Sequence, residues 1–500
     1  MTHPIQHMIA ERRRGSAGMY SACTASGLVI EAVLEAALEN GTSALVEATS
    51  NQSNQFGGYT GMTPADFSAF VRCTAERVGF APENLILGGD HLGPLTWQGE
   101  PESAAMEKAE TLVRAYVEAG FTKIHIDTSM RLADDDPQAP LSDETIARRA
   151  VRLVAAAESA YSAAQGLGAR GANTAGGAGM ARGASRQPAY TLPAHVKPVY
   201  IIGSEVPIPG GAKSGGEIPD EASYKTSDKT SDKMFAEKSG KALDKMFAEK
   251  SDKAGGHHVA VTSPEAFEST YGTFRAEFES AGMGGVFSRV VGVVVQPGVE
   301  FGDDSIDEYD RGAAAGLAAR LAEVGSGDIV FEGHSTDYQP PRKLRQMVED
   351  GIAILKVGPA LTFYLREAAF ALSCIEEEIG VPEPSCFKAA LEEAMLADPA
   401  NWEKYYSGTD AERAFKRRYS LSDRSRYYFP CAGVQAALAR LMQNIDNADV
   451  PVSLLSQYLP TAYARLRDKG SRAPFTAAAL MKARVRDCID DYLYATGVLR

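Results

Sequence analysis

Short apolar segments alternate with amphipathic stretches along the first three quarters of the chain. Eight of these segments are rich in β-branched residues and lack strict polar alternation, which is typical of strands buried on both faces of a parallel sheet. The stretches between them have helical spacing, and several begin with a cap residue followed by proline, as at Thr63-Pro64 and Ser263-Pro264. The eight predicted strands are Gly18–Ala22, Ser43–Ala48, Asn84–Gly89, Lys123–Asp127, Pro198–Gly203, Arg289–Gln296, Asp328–Glu332 and Ile352–Val357.

Strand–helix alternation repeated eight times predicts an α/β fold of the (β/α)8 TIM barrel type. A doubly wound sheet is the main alternative. It would usually carry a GxGxxG turn after the first strand, and the segment Ser21–Gly27 reads SACTASG instead. The predicted helices are Leu28–Leu38, Pro64–Arg77, Met106–Glu118, Glu144–Ala157, Pro264–Ala281 and Ala313–Ala322.

The strand pattern stops near Pro384, so we expect a barrel over residues 1–383 and a helical extension over 384–500. Two segments do not fit a compact barrel. Ala163–Gln187 is rich in Gly and Ala, and we expect a flexible loop there. Lys213–Gly256 contains DKMFAEKS twice and is too polar to form its own core, so we expect a solvated, partly disordered insertion, with a partner-binding element as the alternative.

The composition excludes several classes of function. The chain has 500 residues and a net charge of −14, so it lacks the basic surface that nucleic-acid binding requires. Its apolar runs are far shorter than the roughly 20 residues of a membrane helix. Six cysteines without a CxxC pair suit reduced thiols, and no secretory signal is visible, so we expect a cytoplasmic protein.

Ionisable and polar residues stand where the predicted strands end, which is where a TIM barrel carries its catalytic groups. Burying such a group at the end of an apolar run costs several kcal/mol unless it is paired or bound to a metal. Packing alone therefore does not explain the pattern. The residues are Glu47 and Asn51, Asp90 and His91, His125 and Asp127, Glu205, Gln296, Glu332 and His334, and Lys356 and Gly358.

These residues suggest a metal centre beside an acid–base group. Imidazoles and carboxylates suit a divalent ion, Zn²⁺ or Mn²⁺, for which we predict the ligands His91, His334 and Glu332. Asp90 is the predicted acid–base residue, although it could instead orient a ligand from outside the coordination sphere. Asp127 and Glu205 are candidates for a second catalytic group, or for structural carboxylates that cap loops.

The remaining strand-end residues are candidates for substrate binding. Lys356 and Gly358 precede a helix whose free N–H groups could receive an anion, with a plain strand-to-helix turn as the alternative. Arg424, in the extension, could reach a phosphate or belong to a surface salt-bridge network. The other predicted substrate-binding residues are Glu47, Asn51, His125 and Gln296. Glu47 could instead be a structural carboxylate that caps a loop. His125 could also be a metal ligand, although a hydrogen bond within the barrel is the commoner role for a strand histidine.

Several longer motifs resemble one known family, the class II D-tagatose-1,6-bisphosphate aldolase non-catalytic subunits, which includes D-tagatose-6-phosphate 4-epimerases. The resemblance runs from about Met8 to the C-terminus and is interrupted by the two insertions. The motifs are Glu47–Asn51, Gln55–Met62, Gly88–Pro94, Lys123–Met130, Gly203–Gly211, Val295–Gly302, Phe331–Asp337 and Lys356–Phe363.

The resemblance implies a TIM barrel, a divalent metal and ketohexose phosphates as substrates. One role within the family is a subunit that supports a separate aldolase polypeptide. The other is a 4-epimerase that interconverts D-tagatose 6-phosphate and D-fructose 6-phosphate. Our hypothesis for its mechanism is that the C3–C4 bond breaks and re-forms on the other face; direct oxidation at C4 is the alternative, and the chain has no dinucleotide fingerprint for it. The ring of ionisable groups favours the epimerase, because a supporting subunit would not need it. A sugar-phosphate-binding regulator is a third possibility, and we expect a homo-oligomer.

Overall fold

The fold is seen in a computed structural model, which describes residues 2–12, 17–171, 196–203, 259–325, 327–470 and 475–499. Eight parallel strands form a closed barrel in the order β1-β8-β7-β6-β5-β4-β3-β2, which confirms the predicted TIM barrel. Each of the eight predicted segments is a strand, and β3 continues past its predicted end at Gly89. The strands are β1 Met19–Cys23, β2 Ala44–Thr49, β3 Leu85–Leu92, β4 Lys123–Ile126, β5 Val199–Ile202, β6 Val290–Val295, β7 Val330–Gly333 and β8 Ile352–Val357.

Helices surround the barrel and continue beyond it. All six predicted helices are present, and α1, which precedes the first strand, was not predicted. A two-stranded ribbon, Glu300–Phe301 with Ile306–Asp307, follows β6 and was also not predicted. The helices that surround or precede the barrel are α1 Pro4–Arg12, α2 Gly27–Asn40, α3 Pro64–Val78, α4 Glu102–Glu118, α5 Asp143–Gly171, α6 Pro264–Ser280, α7 Gly284–Phe287, α8 Arg311–Val324, α9 Pro341–Glu349 and α10 Pro359–Ile379.

The predicted helical extension is also found. Its last helix packs against α2, α9 and α10, so the extension returns to the wall of the barrel. The helices of the extension are α11 Phe387–Ala397, α12 Asp410–Tyr419, α13 Ala432–Asn447, α14 Val452–Tyr458, α15 Pro460–Asp468 and α16 Ala477–Ala495.

The first predicted insertion begins later than expected. Helix α5 continues to Gly171, so the residues from Ala163 to that point are helical and not a loop. The rest of this segment and the whole of 213–256 lie outside the described residues. All six cysteines are free, as expected. Among the described residues, no helix is both long and apolar enough to cross a membrane.

The inside of the barrel changes from apolar to charged along the strands. Helix α1 closes the amino end, where Ile5 and Ile9 pack with inward-facing Leu45 and Ile354. Because strand side chains alternate, the next inward residue after Leu45 is Glu47, and the next after Ile354 is Lys356. The strand pattern therefore delivers ionisable groups to the carboxyl end of the barrel.

Candidate active site at the carboxyl end of the barrel

A network of buried charges forms the lower layer of the site. Lys123 Nζ lies 2.6 Å from Glu47 Oε1 and 2.6 Å from Glu332 Oε2, and all three side chains are fully buried. Lys356 forms further ion pairs with Glu47 and Asp90. Each charge has an opposite partner, as burial in a low-dielectric interior requires.

The lysines keep the neighbouring carboxylates ionised. Burial alone would raise the pKa of Glu332, but Lys123 and Lys356 outweigh it and hold this pKa well below the usual range. Burial likewise opposes ionisation of Asp90, and Lys356 and His91 again lower its pKa well below the usual range. The two carboxylates are therefore anionic at neutral pH.

Three histidines stand above this network: His91 and His125 lie in β3 and β4, and His334 directly follows β7. The ring centroids of His91 and His125 are 4.9 Å apart, those of His91 and His334 5.1 Å, and those of His125 and His334 5.3 Å. Asp90 joins them, and one ligand-type atom from each of the four residues lies within 4.8 Å of all the others. Three imidazoles and a carboxylate are a donor set that suits Zn²⁺ or a similar divalent ion.

Both ring nitrogens of His125 face polar groups. Nδ1 lies 2.8 Å from Asp90 Oδ1 and 3.2 Å from the His91 amide nitrogen, and Nε2 lies 3.2 Å from the Gly203 carbonyl oxygen. Burial lowers the pKa of His125, so the ring is neutral and carries one proton. A single proton cannot serve both Asp90 and the Gly203 carbonyl, so one ring nitrogen faces an oxygen with its lone pair. Lone pairs of imidazoles and a carboxylate that converge in this way fit a divalent cation.

His91 is aimed by its backbone and by a carboxylate. It follows the glycine pair of the GGDHLGP motif and has φ of 48°, a left-handed conformation that non-glycine residues rarely adopt. Asp127 Oδ2 accepts from His91 Nδ1 over 2.9 Å, which leaves the lone pair on Nε2, 3.9 Å from Asp90 Oδ2. Asp127 also accepts from the Ser129 hydroxyl. This carboxylate–histidine arrangement is common beside metal ions.

Two glycines in the same motif make room for the site. A Cβ on Gly88 would lie 2.5 Å from Glu47 Cγ, so only glycine leaves space for that buried side chain. A Cβ on Gly93 would lie 1.7 Å from the Asp127 carbonyl oxygen. The glycines therefore serve close packing between strands, and they explain part of the motif that carries the family resemblance.

Some predicted residues take a place different from the one expected. Glu332 accepts from His334 Nε2 over 3.1 Å and is bound to Lys123, and it is not one of the four converging donors. His125, predicted for substrate binding, is one of those donors. Asn51 is exposed, and Gln296 Oε1 accepts from the backbone of Gly298 and Val299. Glu205 lies outside the described residues.

The helix start after β8 already holds an anionic group of the protein. Asp337 Oδ1 accepts from the N–H groups of Gly358 and Ala360, at 3.1 and 2.8 Å. Two of the N–H groups that the sequence offered to a phosphate are therefore engaged. Lys356 points into the barrel towards Glu47 and Asp90, as described above.

Arg424 lies in a cluster of aromatic and basic side chains of the extension. Its guanidinium carbon is 3.4 Å from the ring centroid of Tyr405, and its side chain is buried. Arg426 lies beside Tyr427 in the same segment and donates to its hydroxyl over 3.2 Å. The sequence indicated the two arginines, but not the tyrosines that hold them.

Lys123 is the functional-looking residue that the sequence reading missed. It stands at the start of an apolar strand, where lysine commonly faces solvent. Its position opposite Glu47 and Glu332 follows only from the closed barrel. A lysine that begins a strand predicted to be buried on both faces was the available signal.

Comparisons with known proteins place the chain in a family. The family model described as D-tagatose-1,6-bisphosphate aldolase subunit GatZ/KbaZ-like matches residues 5–241 and 251–497, and the chain belongs to this family. The chain is 40% identical to a probable tagatose 6 phosphate kinase from Sinorhizobium meliloti 1021. This match has a TM-score of 0.74 and covers 96% of this chain and 100% of that crystal structure.

More distant similarities reach proteins described as aldolases. The YdjI aldolase from Escherichia coli K12 is 9% identical with a TM-score of 0.36, over 86% of this chain and 96% of that one. A putative fructose-1,6-biphosphate aldolase from Coccidioides immitis is 13% identical with a TM-score of 0.35, and the match covers 89% of this chain and 95% of that one. Similarities this weak say nothing further about function.

Proposed function

We propose that this protein is a metal-dependent epimerase that interconverts D-tagatose 6-phosphate and D-fructose 6-phosphate at C4. The observation that carries the proposal is the convergence of Asp90 with three histidines at the carboxyl end of the barrel. Membership of a tagatose-bisphosphate aldolase subunit family supports a ketohexose phosphate as substrate.

His91, His125 and His334 would hold the divalent ion, with Asp90 at its edge. Such an ion acts as a Lewis acid and polarises a carbonyl group. Asp127 orients His91, and Glu332 orients His334. Asp127 and Glu332 are thus positioning residues in this proposal, in place of the acid–base and ligand roles that the sequence suggested for them.

Asp90 is the proposed acid–base residue. Its carboxylate takes the proton of the C4 hydroxyl as the C3–C4 bond breaks. C4 becomes an aldehyde carbon, and the electron pair of the broken bond passes to C3 and onto the C2 carbonyl oxygen as an enolate. The aldehyde then presents its other face, C3 of the enolate attacks it to re-form the C3–C4 bond, and the proton returns to the C4 oxygen. Nothing is oxidised or consumed, and Lys356 holds the carboxylate in place through an ion pair of 2.8 Å.

A supporting subunit for a separate aldolase polypeptide is the second candidate. It is favoured by the family description, which names an aldolase subunit. This role needs a docking surface and no catalytic carboxylate. The two candidates differ in one simple respect, because an epimerase acts without a partner.

The test is the purified chain with fructose 6-phosphate and Mn²⁺ or Zn²⁺, monitored by ¹³C NMR for tagatose 6-phosphate. We expect turnover without a partner, loss of turnover after chelation, and its return with the ion. Asp90→Asn should lower kcat by about 10²–10⁴-fold, the usual contribution of a general base. Asp468→Asn is the matched control, since Asp468 is exposed on α15.

Other outcomes would point elsewhere. Activity that requires an added class II aldolase polypeptide would support the subunit role and contradict the epimerase. Phosphorylation of tagatose 6-phosphate at the expense of ATP would favour the kinase activity named for the 40% identical protein. Full activity in Asp90→Asn would remove Asp90 from the mechanism.

A further inference from the structure

We propose that Arg424, Arg426, Tyr427 and Tyr59 form a phosphate subsite that makes the active site selective for phosphorylated ketoses. This inference rests on the proposed function and deepens it. The extension supplies three of the four residues, and the loop after β2 supplies the fourth. The subsite therefore spans the extension and the barrel.

Both guanidinium groups have polar atoms without a partner. Arg424 is only 4% exposed, and its Nε is buried without a hydrogen bond. Arg426 Nη1 is likewise buried without a hydrogen bond. Within the described part of the chain, neither guanidinium forms an ion pair with a carboxylate. Asp423 and Asp337 act on Arg426 electrostatically from beyond ion-pair distance. Guanidinium donors that are buried without a hydrogen bond are therefore suited to an anion, which would offset their desolvation.

Aromatic rings, not carboxylates, hold the two arginines. The guanidinium carbon of Arg424 lies 3.4 Å from the Tyr405 ring centroid, and that of Arg426 lies 4.9 Å from the Tyr427 ring centroid. Cation–π contacts position a guanidinium but leave its charge in place. Arg366 is the contrasting case, because Asp423 of this same segment pairs with it at 3.3 Å.

The segment that contains the two arginines is hydrogen-bonded to loops at the carboxyl end of the barrel. The Leu421 amide donates to the Asp303 carbonyl over 2.8 Å, and the Tyr338 hydroxyl donates to the Leu421 carbonyl over 2.7 Å. Asp303 follows β6, and Tyr338 follows β7. On the other side of this segment, the ring centroids of Tyr59 and Tyr427 are 4.7 Å apart. The arginines thus lie among the loops that surround the metal-type site.

The chemistry of the cluster matches a phosphate monoester. A guanidinium offers donors in a planar fork that fits phosphate oxygens, and phenol hydroxyls donate to oxyanions. A substrate whose C2–C4 region lies at Asp90 has its C6 phosphate at the far end of the chain. The helix start after β8 is already taken by Asp337, which leaves this cluster as the phosphate site we assign.

The test measures anion binding separately from turnover. Calorimetry gives the affinity for inorganic phosphate and for fructose 6-phosphate, with fructose and a ketohexuronate as comparison ligands. In Arg426→Gln and Arg424→Gln we expect at least about a tenfold loss of affinity for both phosphate ligands. Arg440→Gln is the control, since Arg440 is half exposed and already paired with Glu383.

Kinetics provide a second readout. In Arg426→Gln, KM for fructose 6-phosphate should rise about tenfold or more while kcat changes little, because the arginine binds a part of the substrate that does not react. Arg426→Lys should restore part of the affinity. Failure of the epimerase assay would leave the phosphate-binding measurement intact, so the two proposals can fail independently.

Three results would overturn the subsite. One is unchanged phosphate affinity in folded Arg426→Gln. Another is equal or tighter binding of the ketohexuronate, which would make the cluster a carboxylate site. If the glutamine variants do not fold, unchanged phosphate affinity in both Arg426→Lys and Tyr59→Phe would contradict the proposal as well.

Discussion

The three histidines of the candidate site are each held by a different neighbour. Asp127 accepts from His91, Glu332 accepts from His334, and the Gly203 carbonyl faces His125. Each contact restricts a ring to one orientation before any ligand binds. Such preorganisation is the usual support of metal and catalytic groups, and it accounts for carboxylates that do not themselves join the cluster.

Tyr427 should titrate at an unusually low pH. Burial raises its pKa, but Arg426 and Arg424 outweigh burial and lower it to about 8. Tyr59, whose ring lies against it, titrates at higher pH because burial raises its pKa. An ionised Tyr427 repels a bound anion, so phosphate should bind more weakly as the pH rises above about 8.

The measurement is absorbance of tyrosinate at alkaline pH, with Tyr427→Phe to identify the group. We expect one transition near pH 8 that the variant lacks. Added phosphate should raise the midpoint of this transition by about half a pH unit or more, compared with sodium chloride of equal ionic strength. A transition that phosphate does not move would contradict the proximity of Tyr427 to the bound anion.

The charge network is built from residues of several strands, and the stability of the fold depends on their ion pairs together. Lys123 of β4 joins Glu47 of β2 to Glu332 of β7. Lys123→Met would leave the buried Glu332 without its lysine ion pair and Glu47 with Lys356 alone, and it should cost about 3–5 kcal/mol in the free energy of unfolding. Because Glu332→Gln removes one of those charges, the double variant should be more stable than Lys123→Met alone. Chemical denaturation checks this, and a double variant that is no more stable would contradict the coupling.

Asp337 caps helix α10 and should make stability depend on pH. Burial raises its pKa to about 6, although the amides of Ala360 and Gly358 oppose the rise. The folded state therefore holds a proton that the unfolded chain loses near pH 4. This group's contribution to stability falls as the pH rises from about 4 to 6.

Asp337→Asn keeps an oxygen for both amides and removes the charge. We expect the variant to gain roughly 1–3 kcal/mol relative to the wild type between pH 4.5 and 7.5. Urea unfolding at the two pH values measures the difference. Parallel behaviour of the two proteins across this range would show that Asp337 has an ordinary pKa.

The barrel and the extension share one hydrophobic core. Tyr20 of β1 and Tyr492 of α16 have ring centroids 5.8 Å apart, and the Tyr492 hydroxyl donates to the Thr336 carbonyl after β7. Ion pairs add to this contact, with Arg486 on Glu39 of α2 at 2.7 Å. We therefore propose that residues 1–383 and 384–500 fold as one cooperative unit.

The two tryptophans of the chain allow a direct test. Trp97 lies in the barrel region and Trp402 in the extension, and both are buried. Trp97→Phe leaves a probe of the extension, and Trp402→Phe leaves a probe of the barrel. Equal unfolding midpoints by fluorescence and by circular dichroism are expected in each variant. An earlier transition seen by Trp402 alone would mean that the extension unfolds independently.

Much of the fold could be predicted because strands buried on both faces must be apolar along their whole length. Pro198–Gly203 and Ile352–Val357 stand out for this reason, and the polar residues that follow such runs mark the carboxyl end of the barrel. Helix α1 was missed because its apolar face is short. The ribbon after β6 was missed because two-residue strands leave no periodic pattern.

The sequence by itself determined the barrel and its direction, and it indicated that Asp90, His91, His125 and His334 stand at strand ends, because periodicity and strand ends are local properties of the chain. Only the tertiary structure decided how those residues pair. In the structure, His125 lies beside His91 and His334, and Lys123 forms ion pairs with Glu47 and Glu332. Asp337 accepts hydrogen bonds from the helix start at which the sequence suggested a phosphate. The physical reason is closure of the barrel, which brings together side chains hundreds of residues apart and sets their distances through strand register and tilt.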